Sequence, residues 1–200
     1  MKGSDQTQTS NCGYGTPITQ YAFFAQEFKP TKDKLTAVAL SFFKTNSPPS
    51  STSITVSIRD ELEGDDLVTI SVNADDWKIK GETWVLFDFD DITVTPEESY
   101  YIVCTADNDD EDNSYAWFFN EGNTYDKGIS YIFLVDSQAW VDLDTFLEYW
   151  EFTGIDFSFI TYHQEPQGKM MINPILRFLE NYPLLYSLLQ QLLIHRGLLI

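Results

Sequence analysis

Between Glu82 and Asp107 (ETWVLFDFDDITVTPEESYYIVCTAD) apolar and polar positions alternate, break at a turn, and alternate again. Val85, Phe87 and Phe89 fall on one side of an extended chain, with Trp84, Leu86 and Asp88 on the other. Tyr100, Ile102 and Cys104 then alternate with Tyr101, Val103 and Thr105. A period of two belongs to a strand with one face in a core. Thr95-Pro96-Glu97-Glu98 supplies the bend, with Pro96 fixing φ where it starts. The stretch therefore predicts two antiparallel strands joined by a turn.

The pattern recurs along most of the chain. Asp5–Thr9 reads as an N-terminal edge strand, and Asn11–Pro17 as a loop. Phe23–Lys29 is a strand closed by Pro30, and Leu35–Phe43 a stronger one. Ile54, Val56 and Ile58 mark the next, ended by the charged turn Asp60–Asp66, and Leu67–Val72 follows. Beyond the central pair come Tyr115–Phe119, Ile129–Leu134, the short Ala139-Trp140-Val141, and Ile155–Tyr162. About ten short strands without a helical period predict an all-β antiparallel sandwich, most naturally a jelly roll.

The periodicity changes after Gln164–Gly168. Residues 1–163 are read as the β-sandwich domain, 164–168 as a linker and 169–200 as a two-helix amphipathic tail. Asn173-Pro174 is a helix start, since proline's missing N–H costs nothing in a first turn. After Pro183, Leu184, Leu185, Leu188, Leu189, Leu192 and Leu193 form a stripe opposite Ser187, Gln190 and Gln191. Such a stripe needs a cover, so Leu185, Leu188, Leu189 and Leu192 are the expected contact to another protein, another copy of the chain, or the sandwich itself. A homo-oligomer is one outcome. Each helix is shorter than the roughly 20 residues of a membrane span. The start, MKGSDQTQT, lacks the apolar core of a signal peptide.

With hydrophobic residues at 43% and aromatics at 16%, most of the chain is bound to fold. The formal net charge of -19 repels phosphate backbones and argues against nucleic acid. It suits solubility, cationic partners or divalent cations. The acidic loop Asp107–Ser114 reads first as a solvated surface loop, and calcium is the one cofactor to consider there, where Asp107, Asp109, Glu111 and Asn113 offer hard oxygen ligands. The spacing is not that of an EF-hand. No GxSxG elbow, phosphate-binding glycine loop or HExxH helix occurs, so no catalytic residue is assigned. A glycoside hydrolase or other hydrolase remains an alternative, through some pair among the many carboxylates.

The segments AQEFKPTKDKLTAVALSF, ITVSIRDELEGDDL, WVLFDFDDITVTPEESYYIV and DFSFITY resemble a jelly-roll accessory domain of archaeal and bacterial secreted or cell-surface proteins. This module is similar to domains associated with surface anchoring and to carbohydrate-binding modules. The tail NPILRFLENYPLLYSLLQQLL looks like the C-terminal ends of archaeal surface proteins. The resemblance implies a non-enzymatic module for attachment or assembly, placed outside the cell or on its surface. It also implies surface glycans as a possible class of ligand, stacked on exposed Trp117, Tyr125, Trp140 and Trp150. An exported protein would pair Cys12 with Cys104 as a disulfide; two buried thiols are the alternative.

Overall fold

The computed structural model describes residues 2–79, 81–148 and 151–164. Within them Lys2–Gln164 is one compact unit. In chain order the strands are β1 (Lys2–Gln8), β2 (Tyr14–Ile18), β3 (Ala22–Phe28), β4 (Lys34–Lys44), β5 (Ser53–Arg59), β6 (Val68–Asn73), β7 (Thr83–Thr93), β8 (Tyr100–Ala106), β9 (Tyr115–Asn120), β10 (Ser130–Leu134), β11 (Ala139–Asp142), β12 (Asp156–Phe157) and β13 (Phe159–Gln164). A helix α1 (Leu143–Leu147) follows β11, started by the Asp142 side chain, which accepts from the N–H groups of Asp144 and Thr145.

The pairings are nested. β5 pairs β6, β4 pairs β7, β3 pairs β8 and β2 pairs β9, all antiparallel. Eight consecutive strands thus form one long hairpin folded at the β5–β6 turn. Rolling it up adds the contacts β4 to β9 and β5 to β8. The result is a jelly roll of two sheets, and the chain is an all-β sandwich. The seven-stranded sheet holds β1, β13, β4, β9 and β12, with β2 on β9 and β7 on β4. The six-stranded sheet runs β11-β10-β3-β8-β5-β6.

At the fold of the hairpin, Arg59 Nε donates to Asp66 Oδ1 at 2.6 Å, and Thr69 Oγ1 donates to Oδ2 at 3.0 Å. Partial burial pushes the Asp66 carboxyl up; the hydrogen bonds from Arg59 and Thr69 and the Arg59 charge outweigh it. The carboxyl therefore sits below its ordinary value.

Three readings of the sequence are corrected here. The two strands flanking Pro96 do not pair: β7 lies in the seven-stranded sheet and β8 in the six-stranded one. The turn is an arch across the core. It is a type II-like bend, with Glu98 N–H donating to Thr95 C=O at 3.3 Å and Glu97 at φ 66. The expected loop Asn11–Pro17 contains most of an edge strand, β2, where Pro17 is tolerated because an edge leaves some N–H groups without need of a partner. Thirteen strands replace about ten, partly because Ile155–Tyr162 divides at Ser158. Before Ser158 the segment pairs β9 and after it β4, so it wedges between them where they diverge.

The inward faces interdigitate. Phe24, Phe28, Phe42, Phe87, Phe157 and Phe159 are fully buried, with Leu35, Leu40, Ile54, Ile58 and Ile102. Each such side chain contributes on the order of 1.5–3 kcal/mol.

Candidate functional site

The residues predicted as sites divide sharply by burial. Trp117 is 0% exposed, stacked on Phe157 at 4.3 Å between ring centroids, and its Nε1 donates to Ser158 C=O at 2.9 Å. Tyr125 is buried too. Its hydroxyl donates to Gln6 Oε1 at 3.1 Å and accepts from the Lys29 N–H at 3.2 Å. Neither can present a ring to a sugar, which corrects both assignments: they are core, because a large aromatic on an inward face gains most by leaving water. Trp150 lies outside the described residues, as do Leu185, Leu188, Leu189 and Leu192.

Trp140 is different. It stands half-buried on the outer face of the six-stranded sheet, in register with Phe133 on β10, which is in turn in register with Phe23 on β3. The Phe133 and Trp140 rings are 5.3 Å apart; Phe23 and Phe133 are 5.6 Å apart and nearly parallel. Among the described residues no strand lies beyond β11, so the row ends at an indole on the edge strand of the sheet. One row along the strands lies Tyr131, and one more brings Glu27 and its cross-strand neighbour Tyr101. Tyr101 and Tyr131 meet edge to face at 6.0 Å. Successive rows are about 7 Å apart, so the strip spans about 14 Å.

The polar end of the strip is ordered. Glu27 Oε1 accepts from Ser99 Oγ at 2.6 Å, and Oε2 accepts from the Ile129 N–H at 3.4 Å. Burial first, and then the Glu27 carboxylate, raises the hydroxyls of Tyr101 and Tyr131, the latter to about 12. Both therefore stay protonated donors at neutral pH. On β5 and β6 the same face carries Thr55, Ser57, Thr69 and Ser71, paired by hydroxyl hydrogen bonds near 3 Å. The aromatic strip is thus confined to the β11-β10-β3-β8 half of the sheet.

The sequence reading missed Phe23, Phe133, Tyr101, Tyr131 and Glu27. The signal was present in the doublets Phe23-Phe24 and Tyr100-Tyr101: neighbours in a strand point to opposite faces, so one ring of each doublet must leave the core.

The acidic loop is tied to itself. Asp110, not among the expected ligands, accepts from the N–H groups of Asp112 and Asn113 at 3.0 and 3.2 Å and from Asn113 Nδ2 at 2.8 Å. The hydrogen bonds from Asn113 hold its carboxyl below the ordinary value. Asp107 Oδ1 accepts from the Ser53 N–H at 2.7 Å, and Asn113 Oδ1 from the Ser47 N–H at 3.2 Å. Asp107, Asp109 and Glu111 are not gathered into a group of three, and among the described residues no three His, Cys, Asp or Glu are placed to hold a metal ion.

Cys12 and Cys104 are both free, which corrects the expected disulfide. Cys104 sits in β8 in register with Phe24 and Val56, fully buried, and burial drives its thiol far above the ordinary value. Cys12 lies before β2 on the other sheet, and its Sγ donates to Phe119 C=O at 3.4 Å. An apolar groove of about 290 Å³ runs beside β2, lined by Tyr14, Pro17, Phe119, Phe146, Leu147 and Phe152.

No family model and no curated protein matches the chain. Among solved structures it is similar to a chain of the acidic-stable capsid of the Helicobacter pylori bacteriophage KHP30, at 18% identity. That match covers 71% of this chain and 99% of the other, with a TM-score of 0.24. Among the described residues no helix is long and apolar enough to cross a membrane.

Proposed function

We propose that the chain is a non-enzymatic attachment module of a secreted or cell-surface assembly, and that it engages its target through the aromatic outer face of the six-stranded sheet. The observation that carries this reading is the in-register row Phe23–Phe133–Trp140, which ends on the last described strand of the sheet. Aromatic side chains left half-buried on a strand face forgo part of their burial energy, which a ligand recovers.

The ligand class this strip fits best is a glycan. The indole at the edge offers a π-face to the C–H face of a pyranose, while Tyr131, Tyr101 and Glu27 offer two donors and an acceptor to hydroxyls along the next about 7–14 Å. A glycan array compares the wild type with Trp140→Ala and Phe133→Ala. Each substitution is expected to weaken the best binder about tenfold, the equivalent of about 1.4 kcal/mol, with the fold intact by circular dichroism. Binding to no glycan, or binding by both variants as tight as that of the wild type, sinks this ligand class.

The leucine stripe of the tail is the second contact element of this reading, and it rests on sequence alone. Leu188→Asp with Leu192→Asp should reduce an oligomer to a monomer or abolish capture of a partner. Unchanged mass by light scattering and unchanged partner binding would make the tail a passive extension.

A further inference from the structure

Four segments meet at one end of the sandwich around a cavity of about 180 Å³ lined by Asn123, Ser130, Asp142, Asp144, Ile155 and Asp156. Asp156 is 1% exposed, and its Oδ2 accepts from the Tyr125 N–H at 2.8 Å, tying the β9–β10 loop to β12. Asp144 of α1 accepts from the N–H groups of Gly154 and Ile155 at 2.7 and 2.8 Å, tying α1 to the same segment. The two backbones touch. Asn123 N–H donates to Gly154 C=O at 2.8 Å, and a Cβ on Gly154 would lie 2.4 Å from Asn123 N.

The charges here are of one sign. From α1 and its cap, Asp156 faces Asp144 and shares the cavity with Asp142. From β3 it faces the neutral Gln26, whose Oε1 accepts from the Phe157 N–H at 2.7 Å. From β1 the neutral Gln8 donates to the Asp156 backbone carbonyl at 3.3 Å. Among the described residues no lysine or arginine lines the cavity. The ion pairs among the described residues, Lys2–Asp88, Lys44–Asp75 and Arg59–Asp66, are made elsewhere.

We propose that Asp156 is a pH-sensitive latch: neutral, it lets the β9–β10 loop and α1 stay packed against β12, and ionised, its charge beside Asp144 loosens them. A buried carboxylate beside two others, with no cation to answer it, is the costly state. Burial lifts the carboxyl to about 6; the hydrogen bonds from the Tyr125 N–H and Gln26 oppose that rise, and the Asp144 charge adds to it. The change of state thus falls in a range that secreted and surface proteins meet. The latch stands whether or not the aromatic face binds a glycan. Since α1 and the loop flank β10 and β11, which carry Phe133 and Trp140, it would also tune that face if the proposed function holds.

Amide hydrogen exchange of the full chain at about pH 5 and about pH 8, corrected for intrinsic rates, tests this. The amides of Tyr125, Gly154 and Ile155 are expected to lose about tenfold in protection at the higher pH, with those of β4 and β8 unchanged. Asp156→Asn should keep them protected at both values. Unchanged wild-type protection, or the same loss in Asp156→Asn, overturns the latch. Should that variant fail to fold, carboxyl-carbon NMR of the wild type decides. An Asp156 midpoint near 6 that coincides with the exchange step supports the proposal; an ordinary midpoint, about 4, overturns it.

Discussion

Trp117→Ala is expected to destabilise the protein by about 3–5 kcal/mol. The indole is fully buried, packs on Phe157 at 4.3 Å, and donates its N–H to Ser158. Removing it opens a cavity where β9, β12 and β4 converge, at the point where the last strand changes partner. It also takes a donor from the Ser158 carbonyl. Trp140→Ala should cost far less, about 1 kcal/mol, because its ring is already half in water. Urea unfolding of both variants checks the pair. A loss at Trp117 no larger than that at Trp140 would mean that burial does not separate core tryptophan from surface tryptophan here.

Asp156→Asn is expected to stabilise the protein above about pH 6 by up to about 3 kcal/mol, and to do nothing at about pH 4 or below. The folded-state value of about 6 lies above the ordinary 3.8. Between the two, the native state holds a proton that the unfolded chain has released. Native stability therefore falls as pH rises through that window, and the deficit is constant above it. The amide cannot ionise, and its oxygen can still accept from the Tyr125 N–H, so the variant escapes the loss. Other carboxylates titrate in both proteins, so the quantity to plot is the wild-type-minus-variant difference in unfolding free energy against pH. A difference that does not change with pH contradicts a raised Asp156.

The asymmetry between these two sites says where sequence reading works. Trp117 sits in the aromatic run Tyr115–Phe119, and Trp140 stands alone between Ala139 and Val141. Trp117 is core and no sugar platform: it stacks on Phe157, lies in register with Phe42 and bonds Ser158, all of them buried. In the alternation of Ile155–Tyr162, Asp156 falls opposite Ile155 and Phe157, on what would be the outward side of a strand. It is buried because the β9–β10 loop and α1 close over it: its carboxyl accepts from the Tyr125 N–H and shares a cavity with Asn123, Asp142 and Asp144.

Alternation along the chain is enough to define the set of half-buried strands. Val85 and Phe87, Ile102 and Cys104, and Val38, Leu40 and Phe42 are inward as their alternation required. A period of two is a property of one strand, and burying one face of many such strands leaves a two-layer sandwich as the economical solution. Which strand lies beside which is not a property of any one strand. The turn at Pro96 reads equally as a hairpin or as an arch across the core, because both bury Val85 and Ile102. Only the nesting of β2 to β9 around the β5–β6 turn, a matter of long-range register, separates them. The same holds for function: the doublets at Phe23 and Tyr101 mark two outward rings in the sequence, but Phe23, Phe133 and Trp140 become one surface only because β3, β10 and β11 are neighbours in the sheet.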